Sequence, residues 1–334
     1  MPKKRYTTLS NLLKIDLVNT ILFIFLHMVS YASYGQQNGI ANKQFAAHLE
    51  SIRIKYNLPA LAAMQIKDGV VTSAVTGYRE AGNLTKAAIT DRFHLGSCTK
   101  AMTATLVGIY VDRGSLRFDS TLAELFPEYE IHDELKAVTV EMLLSHMSGI
   151  SSRFRGLGFD KLAEISPDLI KQRAIIAKRT LETKPEYTPG TKFNYSNVGY
   201  IILGHILERI ENSSWENIIS DNLFKPLDMS TCTFGPPKNQ NMQHPTQPWP
   251  HKYSALGPEA IFPGKPELAD NVPALGPAGT VSCSLEDWGK FALLHLNSNE
   301  QVFLSKATMN KLHTVGNQAA PGVPSYTYGA WAIM

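Results

Sequence analysis

Cysteine is scarce in this chain: three residues in 334, Cys98, Cys232 and Cys283. Their spacing matches no zinc or iron–sulfur pattern, and three thiols cannot all pair, which excludes a metal finger and a disulfide-stapled miniprotein. Two of them could pair in an exported protein; the sequence does not choose which. Charge is also sparse, 18% of residues, with no block of one sign. Lys3, Lys4, Arg5 and Lys14 against Asp16 account for the whole formal charge of +3, and the rest of the chain carries 28 basic and 28 acidic side chains. Without a basic stripe, nucleic acid is excluded as a partner. No apolar run reaches the ~20 residues of a bilayer span. Repeats and low-complexity tracts are lacking too.

What remains is an ordinary globular composition, 44% hydrophobic with 23 Gly and 19 Pro, enough for one large domain or two intimate ones. Residues 1–35 read as an export signal. A basic start, Lys3-Lys4-Arg5, precedes an apolar stretch from Leu17 that is densest over Ile21 to Val29, and Ser33-Tyr34-Gly35 before Gln36 fits a small-x-small cleavage site. The alternative is an uncleaved N-terminal anchor, but the apolar core is short and His27 interrupts it. The expected protein is periplasmic or secreted, with no membrane span after the signal is removed.

Asn42 can cap a helix over Lys43–Lys55, where Phe45, Leu49 and Ile52 recur at helical spacing. Leu61–Ile66 and Val70–Val75 flank Asp68-Gly69, a two-residue hairpin signal. Arg92–Gly96 leads into a helix opened by Ser97 and stopped near Arg113 by Gly114; it is apolar on nearly every side and so predicts central burial. From Leu116 helical stretches (Thr139–His146, Pro167–Lys178, Val198–Glu211) alternate with Pro- and Gly-rich turns, and Gly235–Pro277 reads as a long loop region. Glu208 and Glu211 read as solvated positions on their helix. A strand at Thr280–Cys283 follows, then a helix from Ser284 to about Leu296 with Asp287 completing a capping box, and a strand-like run over Tyr326–Met334. The order predicts a mixed α/β (α+β) domain, residues 36–115 and 276–334, interrupted by a mostly helical insertion over 116–275. An antiparallel sheet flanked by helices and the inserted lobe form two walls of a cleft.

Ser97-Cys98-Thr99-Lys100 is the only Ser-x-x-Lys in the chain. Three residues apart on a helix, the amine of Lys100 can reach the hydroxyl of Ser97, and a first helical turn presents unpaired N–H groups that can hold an oxyanion. A serine hydroxyl needs a base before it attacks. The only Tyr-x-Asn, Tyr195-Ser196-Asn197, supplies a candidate phenol whose pKa a neighbouring ammonium would lower, and Asn197 could bond both Lys100 and a substrate carbonyl or amide. Taken singly, each motif also fits a plain role: Ser97 as a helix N-cap with a solvated Lys100, and Tyr195 as a packing residue at a helix start.

Together, and in this order, they place the chain beside a known family. It resembles the serine β-lactamase and penicillin-binding-protein superfamily, most closely its class C branch with the related D,D-peptidases and esterases, from about residue 40 to the end. The shared blocks are Phe93–Lys100, Leu143–Ile150, Pro189–Tyr200, Pro226–Met229, Pro277–Ser282 and Tyr328–Trp331. The resemblance implies acyl transfer: Ser97 attacks a lactam, amide or ester carbonyl, Lys100 and Tyr195 shuttle its proton, and Asn197 positions a small-molecule or cell-wall peptide substrate, in a monomer needing neither metal nor organic cofactor. His146 reads as a structural helix-end residue, and Cys98 as a packing neighbour of the nucleophile.

The family's third motif, Lys-Thr-Gly or His-x-Gly on a strand after Tyr328–Trp331, has no counterpart in its place in the order. His94-Leu95-Gly96 abuts the nucleophile, and Lys67-Asp68-Gly69 reads as the hairpin turn. On this reading the C-terminal strands of the sheet are missing, with the oxyanion donor they would carry. The alternative function is a non-catalytic or inactive penicillin-binding-like module.

Overall fold

The computed structural model describes residues 43–67, 70–154, 159–237, 245–263, 269–296, 303–317 and 325–333. The export segment, Asn42 and the turn Asp68-Gly69 lie outside the described residues.

The core forms around the helix Thr99–Asp112, in which every residue from Thr99 to Tyr110 is buried. Its composition explains this: between Lys100 and Asp112 there is no charged side chain, so every face can be covered. The helices Asn197–Glu211 and Lys306–His313 and the short helical strap Gly276–Gly279 pack against it. The flanking helices begin where the sequence offers caps. Asp168 accepts N–H bonds from Ile170 and Lys171 ahead of Leu169–Leu181, and Ser196 accepts one from Gly199 ahead of Asn197–Glu211.

The sheet is three-stranded and antiparallel, with Val281–Ser284 between Arg92–His94 and Thr233–Phe234. Fully buried on both faces, Val281–Ser284 ties the nucleophile turn to the lobe that follows it. Ala60–Lys67 and Val70–Gly77 form a separate hairpin with Lys67 opposite Val70, the register that a two-residue turn requires. The helix Leu285–Leu296 packs against the first strand of this hairpin. Thr233 faces Ser282, which sets Cys232 opposite Cys283; these two thiols form a disulfide and Cys98 stays free. Among the described residues, no helix is long and apolar enough to cross a membrane.

Several local expectations are corrected. Ser97 sits in a 3-10 turn, Gly96–Cys98, and the α-helix starts at Thr99, because the chain enters through Gly96 at φ +51°. The stretch Gly235–Pro277 is not all loop: His251–Ser254 and Gly257–Ala260 pair as a hairpin, which Pro258 and exposed polar residues hide from an alternation pattern. Thr233–Phe234, within the stretch read as an insertion, belongs to the sheet. The terminal run folds back on itself, Ser325–Tyr326 pairing with Ala332–Ile333 across a turn that places Ala330 at φ +62°. At Ser284 only half of the capping box forms. The Asp287 N–H donates to Ser284 Oγ, while the Asp287 carboxylate turns to Thr231 and Lys290. Glu208 is not solvated but buried against Arg173, whereas Glu211 is exposed.

Candidate active site

Lys100 is the centre of the site, and its burial follows from its place in the first turn of the core helix. Its side chain is fully buried. Nζ donates to Ser97 Oγ at 3.2 Å, to Asn197 Oδ1 at 2.8 Å and to the Ala278 carbonyl at 2.6 Å. Each acceptor is uncharged, so no opposite charge offsets the cost of keeping an ammonium out of water, and burial lowers the Lys100 pKa to about 7. The amine can therefore exist in its neutral, proton-accepting form near neutral pH.

The third acceptor comes from the strap. Thr103 Oγ1 donates to the Pro277 carbonyl at 2.8 Å, and Thr99 Oγ1 accepts from the Val281 N–H at 3.2 Å, so the same helix that carries Lys100 also fixes the backbone that receives it. The Pro277–Ser282 block is legible as a family feature but the role of its Ala278 carbonyl is not: a backbone carbonyl leaves no mark in the side-chain sequence.

Tyr195 reaches the site from the segment before Asn197–Glu211. His146 positions that segment through two backbone bonds, its carbonyl accepting from the Asn194 N–H at 2.8 Å and its Nδ1 from the Ser196 N–H at 3.1 Å. The two rings lie 4.3 Å apart between centroids. Buried and beside Lys100, the His146 imidazole is depressed to about 3 and so is neutral. With Nδ1 occupied by a backbone donor, His146 is a prop behind Tyr195. The helix before it ends at Leu144, and His146 itself takes φ +59° to turn the chain there.

Tyr195 lies close enough to Ser97 to interact with it, and Lys100 Nζ meets both Ser97 Oγ and the face of the Tyr195 ring, which brings the three catalytic candidates together. The Tyr195 pKa departs from expectation. Burial raises it, and the interaction with Ser97 lowers it only in part. The reason is geometric: Lys100 Nζ lies over the Tyr195 ring, 4.8 Å from its centroid, and its protons go to three other acceptors. A raised phenol pKa favours the neutral hydroxyl, which leaves the amine as the stronger candidate base. Tyr200, which ends the shared block Pro189–Tyr200, and Tyr326, read only as part of the terminal strand, line this cluster with no site role assigned to them from sequence; Lys100 Nζ is 5.6 Å from the Tyr200 ring centroid.

Cys98 is exposed and lines a separate cavity of about 260 Å³ with Leu61, Phe93 and Trp288. Although the residue is exposed, the protein around its thiol partly desolvates it and pushes its pKa up, away from the reactive thiolate. Among the described residues no three His, Cys, Asp or Glu side chains converge in a way that could hold a metal ion.

Residues 43–331 match the protein family described as Beta-lactamase. Among curated proteins, Penicillin-binding protein 4 of Amycolatopsis lactamdurans is 29% identical over 74% of this chain and 62% of its own length. The chain thus spans less than two thirds of that relative. Among solved structures, the octameric penicillin-binding protein homologue from Pyrococcus abyssi superposes with a TM-score of 0.66 at 24% identity, covering 85% of this chain and 64% of the other. The D-amino acid amidase from Ochrobactrum anthropi SV3, complexed with L-phenylalanine amide, gives 0.68 at 16% identity, covering 87% and 79%. At these identities the structural likeness speaks to the fold.

Proposed function

Because the chain belongs to the Beta-lactamase family, we propose that it is a serine hydrolase that forms an acyl-enzyme on Ser97. The observation that carries this reading is the Lys100 amine, 3.2 Å from Ser97 Oγ with a pKa brought to about 7. Neutral Lys100 takes the Ser97 proton as Oγ bonds to the carbonyl carbon of an amide, lactam or ester. The oxyanion that forms is met by the Ser97 N–H, one of the unpaired donors of a first helical turn. Tyr195, beside Ser97, carries a proton to the leaving nitrogen or oxygen and is refilled from Lys100. In the second half, water attacks the acyl carbon and gives its proton to Lys100, which passes it to Ser97 Oγ as the acyl–oxygen bond breaks, so that the acid leaves and the serine alcohol and neutral amine are restored. Asn197 has Oδ1 engaged by Lys100, which directs its amide N–H₂ group toward the substrate.

The Tyr195-Ser196-Asn197 block supports assignment to the class C-related branch. Its relatives support a small amide or lactam, or a cell-wall peptide, as substrate. An export signal over 1–35 and the Cys232–Cys283 disulfide support an oxidising, periplasmic or extracellular setting. We take the working unit to be a monomer.

The test is acylation by a fluorescent penicillin. The wild-type chain takes one label, Ser97→Ala takes none, and Cys98→Ala is labelled normally. Labelling of Ser97→Ala would overturn the nucleophile assignment; labelling of wild type with no hydrolysis of amide, lactam or ester substrates would replace the enzyme by a binding module.

A further inference from the structure

A second cavity, of about 330 Å³, opens beside the strand Thr233–Phe234. Leu169, Phe234, Pro236 and Val272 give it apolar walls, and two carboxylates, Asp270 and Glu216, face into it. The Asp270 side chain is only 3% exposed. Its Oδ1 accepts from His94 Nε2 at 2.7 Å and from the Asn271 N–H at 2.6 Å, but its Oδ2 is buried with no hydrogen-bond partner among the described residues. A Cβ placed on Gly235, another wall of the cavity, would stand 3.6 Å from that oxygen.

Among the described residues no Lys or Arg side chain pairs with Asp270, and Glu216 has only a shared one. His94 Nδ1 accepts the Gly96 N–H at 3.1 Å while its Nε2 meets Asp270 Oδ1, so the imidazole spends both nitrogens without reaching Oδ2. Glu216 shares the buried Arg173 guanidinium with Glu208, leaving one cation for two anions. A buried carboxylate oxygen lacking a partner is costly, and a cation brought to it offsets that cost. The apolar walls decide which cation. A hydrated metal ion wants six or more oxygen ligands and keeps its waters, whereas an alkyl or aryl ammonium offers an N–H to Oδ2 and a hydrocarbon body to Phe234, Pro236 and Val272.

We propose that this cavity is a binding site for an organic ammonium, its head on Asp270 Oδ2 and its body against Phe234, Pro236 and Val272. The site is distinct from the Ser97 centre and does not depend on hydrolysis. It is nonetheless joined to it, since Asn271 Nδ2 donates to the Gly279 carbonyl at 2.9 Å and the preceding carbonyl, Ala278, holds Lys100.

The experiment is calorimetric titration of the full chain with phenethylammonium, with 2-phenylethanol and phenylacetate as neutral and anionic controls of the same shape. The ammonium is expected to saturate one site, the alcohol to bind at least about tenfold more weakly and the acid not to bind. Asp270→Asn should weaken the ammonium about tenfold or more, and Val272→Trp, which fills the cavity and leaves Asp270 intact, should abolish binding even where Asp270→Asn does not fold. Absence of saturable binding, equal binding of the alcohol, or unchanged affinity in either variant overturns the proposal. Ser97→Ala should bind the amine as wild type does, so failure of the hydrolase reading leaves this titration unaffected.

Discussion

Lys100 gives the site its pH dependence. A lysine amine that is to accept the Ser97 proton must first be neutral, and burial brings that about near pH 7. Acylation by a fluorescent penicillin should therefore rise with pH through a limb at about 7 and level off above it. Tyr195→Phe should lower the plateau by about 10²-fold, the loss typical of a positioned proton donor, while leaving the limb in place because the limb belongs to the amine. A limb that moved with the phenol would return the role of base to Tyr195. The same shift makes a stability statement. The folded amine titrates near 7 and the unfolded one near 10.5, so between these values the unfolded chain binds the extra proton and stability rises with pH. Urea midpoints across that window should show the rise in wild type and a flatter profile in Lys100→Met.

The helix Asn197–Glu211 tests how elements are held, because two of its glycines sit in opposite surroundings. A Cβ at Gly204 would stand 2.2 Å from Pro277 Cγ on the strap, whereas one at Gly199 meets nothing nearer than 3.7 Å. Helix propensity alone makes both changes to alanine stabilising, by up to about 1 kcal/mol. Gly199→Ala should follow propensity. Gly204→Ala should instead lose about 1–3 kcal/mol, the usual cost of overpacking, and should slow labelling of Ser97 because the strap carries the Ala278 carbonyl. Thermal melts and labelling rates of the two variants check this. At this scale the sequence was informative wherever one element decided the outcome: the uncharged, mostly apolar run after Lys100 announced a core helix, and Asp68-Gly69 announced a hairpin whose strands pair in the matching register. It was silent where the decision lay between elements. Glu208 looks solvated on its own helix and is buried only because Arg173 of Leu169–Leu181 meets it there. Asp287 leaves its capping box because Thr231, 56 residues earlier, offers a better arrangement. The direction of the Tyr195 shift was lost for the same reason, since it depends on which part of the phenol Lys100 approaches.

For the molecule as a whole, the sheet is where the separate parts are fastened. Val281–Ser284 pairs on one side with Arg92–His94, just ahead of the nucleophile, and on the other with Thr233–Phe234, which follows the helical lobe. Both outer strands are only two or three residues long, too short to hold the register by backbone bonds alone. The Cys232–Cys283 disulfide crosses that weak edge and closes a loop with a sequence separation of 51 residues. Three cysteines in the sequence left the pairing open; the strand register, placing Thr233 opposite Ser282, fixes it. Constraining so long a loop in the unfolded chain is worth about 2–4 kcal/mol. Replacing both cysteines with alanine should lower the urea midpoint by a corresponding amount and make it indifferent to reductant, while wild type shows the same drop only when reduced. Cys98→Ala should match wild type in both conditions. Since Cys283 sits between Ser282 and Ser284 on the strand that also accepts the Leu95 N–H next to the nucleophile turn, the double variant should lose labelling rate along with stability, at temperatures well below its melt. An unchanged rate there would mean that the Ser97 turn is held by the core helix alone.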